Sequence, residues 1–137
     1  MKISRRFWLV LTFSYMLAIL WSSTIPSSSD TEGFSKRGLV MDLLHIPAYS
    51  ILAYFFLRTF CAFRLLSKDT GSLPFMSQVL VIQVFVFTAA VCFGIFNEFV
   101  QAHVPGREFS IGDMLRNALG AGLALFFYRY EHDRNLS

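Results

Sequence analysis

Residues 78–100 read QVLVIQVFVFTAAVCFGIFNEFV, an apolar run whose one charged group, Glu98, sits two residues from its end. A helix crosses about 30 Å of hydrocarbon in about 20 residues, so a run of this length and character predicts a membrane-spanning segment. Backbone amides in lipid must be satisfied within the segment, and that makes helix the expected form. Three more apolar runs accompany it, over about 7–25, 39–63 and 111–130. The sequence therefore predicts an all-α chain, an integral membrane four-helix bundle forming one domain over residues 1–137.

Composition agrees with that reading. The chain is 55% hydrophobic and 15% charged, against about 25% charged in a soluble domain. Its 16 Phe suit a lipid-facing surface. The net charge of +3 does not make a nucleic-acid binder, because the Lys and Arg lie between the apolar runs and form no stripe. Cys61 and Cys92 have no Cys-x-x-Cys spacing and no nearby His, and are read as buried small hydrophobes. The spacing of His45 with the carboxylates matches no established metal pattern, so neither metal nor cofactor is expected.

The first run begins with Lys2, Arg5 and Arg6 and ends in small residues, as a signal peptide does. Its apolar stretch exceeds the usual signal core of about 7–15 residues. Trp8 and Trp21 lie near its two ends as interfacial anchors would, so a retained helix is expected. With four crossings both termini share a side. Placing them in the cytoplasm puts eight basic residues inside (Lys2, Arg5, Arg6, Arg58, Arg64, Lys68, Arg129, Arg134) and four outside (Lys36, Arg37, Arg107, Arg116). The positive-inside bias selects that orientation. Residues 26–38 are then external, 64–77 internal, and 102–109 a short external hairpin.

The polar residues concentrate at the outer end. Asp42 and His45 are three apart and share a helix side, with Tyr49 a further turn along. Asn97, Glu98 and Gln101 close the third helix. Asp113 and Asn117, four apart, open the fourth, with Gly120 next on their stripe. Polar groups at membrane depth are costly unless paired, hydrated or used, which makes this end the place to look for function. Pro105-Gly106 reads as a tight turn, and Ser110-Ile-Gly-Asp113 has capping-box spacing. Two readings of Arg107 stand side by side. With Arg116 it flanks a helix start suited to an anion, or it is the ion-pair partner of Glu98, Glu108 and Asp113. Asp42 and His45 either face water or join the cluster. Asn117 and Gly120 are read as packing residues, and Phe126-Phe127-Tyr128 as an interfacial belt.

Glu98-x-x-Gln101, Pro105-Gly106-Arg107, Asp113, Asn117 and Gly120, with His45 and Tyr49 upstream, resemble the VanZ-like membrane proteins. The resemblance covers the chain from Ser22 onward. It departs in the second helix, where many relatives carry an Asp-Lys pair and this chain has Met41 and Asp42; no role resting on that lysine is carried over. The resemblance implies a bacterial inner-membrane protein of the cell envelope, linked through the founding relative to low-level resistance to the glycopeptide teicoplanin.

Three functional classes follow. The first is binding or masking of an envelope component, with the lipid bilayer and a lipid-linked precursor or glycopeptide as partners. The second is a scaffold or small transporter working as an oligomer. The third is an intramembrane enzyme on a phospholipid or polyprenyl-linked substrate, with Glu98 or Asp113 as base, His45 as acid or relay, and Arg107 as anion clamp. Binding is preferred because no nucleophile or metal motif is present and the polar groups lie at one face only.

Overall fold

The computed structural model describes residues 4–25, 36–63 and 75–134, with side chains described over 4–25, 43–62 and 79–130. It is all-helical: α1 (Arg5–Ser23), α2 (Lys36–Phe63), α3 (Phe75–Gln101) and α4 (Ile111–Arg134). The helices follow the apolar runs but overshoot several of them. α2 and α3 each begin three residues early, at Lys36 and Phe75, and α4 continues to Arg134. Hydropathy marks where a helix meets lipid, whereas the helix itself stops where its backbone is capped. α1, for example, starts at Ser4, whose Oγ accepts the Phe7 N–H at 3.2 Å.

Three helices are long and apolar enough to cross a membrane, over Arg5–Ser23, Leu43–Ala62 and Val79–Gln101. α4 has the length, at 24 residues, but Asp113, Arg116, Asn117 and Arg129 dilute its apolar character. The packing is inside-out relative to a water-soluble bundle. Phe13, Phe85, Phe96, Phe126 and Phe127 point outward, while Gln83, Asn97, Glu98, Gln101 and Asn117 are buried. Exposed apolar surface on that scale marks a face made for lipid or a partner rather than water.

α2 is the central element, packed on α1, α3 and α4. α1 runs antiparallel to it. At one end Thr12 Oγ1 meets Thr59 Oγ1 at 2.8 Å and the Arg58 guanidinium lies 4.8 Å from the Trp8 ring centre. Further along, Tyr15 OH donates to the Ala48 carbonyl at 3.2 Å. Trp8 is thus mostly buried against α2 and packs between helices instead of standing free as an anchor. Trp21, by contrast, is 76% exposed.

α2 and α4 run side by side in the same direction and pack tightly at Gly120, where an added methyl would strike the Ile46 carbonyl. Ser50 Oγ lies 2.9 Å from that carbonyl and 2.8 Å from the Gly120 carbonyl, tying the two backbones together. The packing role expected of Gly120 is what its place requires. A layer of mostly small side chains, Ala53, Leu57, Val86, Ala90, Ala121 and Leu125, fills the centre of the bundle, as close helix approach in membranes demands. Cys61 and Cys92 are free thiols on the outer surface. The expectation of burial fails because, in a bundle with an apolar exterior, a small apolar residue is at home on either side.

Candidate functional site

Four helix ends converge on one end of the bundle. α2 supplies His45 and Tyr49, α3 ends with Asn97, Glu98 and Gln101, α4 begins with Asp113 and Asn117, and α1 closes with Ser22 and Ser23. Asp42 lies in α2, and its side chain is outside the described residues.

The hairpin after α3 is built as its residues dictate. The Arg107 N–H bonds to the Val104 carbonyl at 3.1 Å. Pro105 and Gly106 hold the two central positions, with Gly106 at φ 78°, the left-handed value a type II turn needs at its third residue. The turn folds Arg107 back over the end of α3. There its Nη1 lies 3.5 Å from Gln101 Oε1 and its Nε donates to the Ile25 carbonyl at 3.2 Å. Among the described residues Arg107 has no carboxylate partner. The ion-pair reading is corrected: Arg116, a turn inside α4, pairs with Asp113, because the type II turn aims Arg107 toward α1.

The start of α4 is capped from two sources. Ser110 Oγ accepts the Asp113 N–H at 3.2 Å, which is half of the expected capping box. The other half comes from a different helix. The Ser110 N–H donates to Glu98 Oε2 at 3.2 Å, taking the place of the Asp113 carboxylate in the reciprocal bond. Asp113 is thereby released to face His45, with Nδ1 and Oδ1 3.9 Å apart, and Arg116. A ring nitrogen of His45 and one carboxylate oxygen each from Glu98 and Asp113 lie within 4.8 Å of one another. Residues separated by 53 and 15 positions in the chain give no local metal motif, and only the fold brings them together.

Around this trio the polar groups are buried but incompletely bonded. Tyr49, Asn97, Glu98 and Asn117 are each at most 1% exposed. Among the described residues Tyr49 OH, Asn97 Oδ1, Glu98 Oε1 and both polar atoms of Asn117 have no hydrogen-bond partner. Such atoms cost about 1–3 kcal/mol each when left unmade, and native structures hold few of them. The interhelical bridge expected of Asn117 is not made: neither of its amide atoms has a hydrogen-bond partner among the described residues. Gly94, on the same face of α3 as Glu98, lets Asn117 and Tyr49 pack close. A Cβ there would sit 3.3 Å from the Asn117 amide and 3.3 Å from the Tyr49 ring. The sequence reading missed Gly94, although its place one turn before Glu98 was a usable signal.

A cleft of about 290 Å³ opens beside these residues. His45, Tyr49, Asn97, Gln101 and Arg107 supply its polar lining, and Ile19, Leu44 and Ala48 its aliphatic lining. The contribution of α1 through Ile19, Ser22 and Ser23 was not legible from spacing, since those residues carry no charge and stand far from the motif. No family model, curated protein or solved structure matches this chain.

Proposed function

We propose that this chain is a VanZ-like, multi-pass protein of the bacterial inner membrane whose cleft binds the polar head of an amphiphilic envelope component, and that this binding or masking underlies tolerance to a glycopeptide such as teicoplanin. The observation that carries the reading is the mixed polar and apolar lining of the cleft. An arginine, a histidine and amide side chains share the lining with the aliphatic Ile19, Leu44 and Ala48, which suits a molecule with a charged head on an apolar tail. Both termini lie in the cytoplasm and the cleft faces outward, in keeping with eight of the twelve basic residues on the terminal side. Arg107 serves as the anion contact: its present partners are a carbonyl and an amide oxygen, both exchangeable for a phosphate or carboxylate.

Fluorescent teicoplanin bound per cell tests the proposal. Cells making the native chain are expected to bind less antibiotic at their surface and to survive higher doses than cells without it. Arg107→Ala is expected to abolish both differences at unchanged protein level. Equal binding and susceptibility with and without the native chain would refute the proposal.

A further inference from the structure

We propose that His45, Glu98 and Asp113 form a site for a first-row divalent metal ion at the mouth of the bundle. The donors come from three helices, α2, α3 and α4, and lie within 4.8 Å of one another. Donors bound to one ion at about 2.0–2.2 Å stand roughly 3–4 Å apart, so the trio needs to draw in by about 1 Å, within reach of carboxylate rotation. Acidic residues alone would not make this a site. The second observation is Glu98 itself, which is fully buried with one oxygen committed to the Ser110 N–H and the other without a partner among the described residues. A carboxylate oxygen held dry and unpaired is what an ion would satisfy.

The donor set selects the ion class. Two carboxylates alone would suit Mg²⁺ or Ca²⁺, whereas an imidazole nitrogen shifts the preference to Zn²⁺, Mn²⁺ or a neighbour. Three protein donors leave positions open on the ion. His45 belongs to both the trio and the cleft lining, so those open positions adjoin the cleft. Arg116 already holds Asp113 by one oxygen, orienting the carboxylate much as outer groups orient ligands in known metal sites. The inference does not rest on the envelope-binding reading. A metal site is compatible with any ligand or with none, and its test needs no antibiotic.

The full chain, purified in detergent, stripped with chelator and dialysed against Zn²⁺ or Mn²⁺, is expected to retain on the order of one ion per chain by plasma mass spectrometry. Glu108→Gln, an exposed carboxylate on the hairpin, is expected to retain it equally. Glu98→Gln and Asp113→Asn are expected to weaken the affinity by at least about 100-fold, since loss of a mere supporting group already costs about 10–100-fold. His45→Cys loaded with Co²⁺ is expected to show a thiolate-to-cobalt charge-transfer band that the native chain, with Cys61 and Cys92 intact, does not. That band supports the site even where a carboxylate variant fails to fold. A native chain that retains neither ion above the dialysis background overturns the site. So does retention by Glu98→Gln and Asp113→Asn at native affinity, or a His45→Cys spectrum identical to the native one.

Discussion

The two ends of the helix bundle both bury polar side chains, and they treat them in opposite ways. At the end away from the cleft, Thr12 and Thr59 share a hydrogen bond of 2.8 Å and both reach the Trp8 carbonyl, at 2.8 and 3.2 Å. Nearby, Gln83 Nε2 donates to the Leu125 carbonyl at 3.1 Å. No atom of these three side chains is both buried and unpartnered among the described residues. At the cleft end, Tyr49, Asn97, Glu98 and Asn117 are buried at least as deeply and supply all five of the orphaned atoms found among the described residues. Burial is therefore not the distinguishing quantity. Bonded polar groups join helices, whereas unbonded ones are retained at a cost in stability, which is the signature of a site shaped for something it holds.

The largest effect should come at the boundary between the two ends. Gly120→Ala forces a methyl against the Ile46 carbonyl and should lower unfolding free energy by about 1–3 kcal/mol, read as a shifted unfolding midpoint in detergent. A change near zero would mean that α2 and α4 stand further apart than the comparison requires. At the bonded end, Thr12→Val removes the hydroxyl joining α1 to α2 and should cost about 0.6–1.7 kcal/mol, the range for interhelical hydrogen bonds in membranes. At the cleft end, Asn117→Leu keeps the branched shape of the side chain with larger groups and removes two unpartnered atoms. It should change stability by no more than about 0.5 kcal/mol, or raise it. Equal losses for Thr12→Val and Asn117→Leu would erase the distinction between the ends.

Much of this is legible in the sequence. Long apolar runs announce helices because lipid leaves the backbone no other partner, and the clustering of His45, Glu98, Gln101, Arg107, Asp113 and Asn117 at one end follows from helix direction alone. Pairing was not legible. The capping box at Ser110 correctly placed the start of α4, yet its second bond is made by Glu98 from another helix. That exchange decided which carboxylate was released to face His45. Arg107 and Arg116 both flank the start of α4 in sequence, but the type II turn at Pro105-Gly106 sends the first toward the end of α1 and leaves the second to Asp113. Local spacing identifies the participants. Turn geometry and interhelical packing assign their partners.

Glu98 lets the claim be tested at a single residue. Glu98→Gln preserves shape and keeps an oxygen to accept the Ser110 N–H, while removing the charge that has one oxygen buried without a partner. Unfolding free energy of the two chains, measured side by side in detergent with chelator at neutral pH, is expected to be equal or higher for Glu98→Gln. A loss of about 3 kcal/mol or more, as when one partner of a buried structural ion pair is removed, would show that Glu98 holds the bundle together and would contradict its assignment to a binding site.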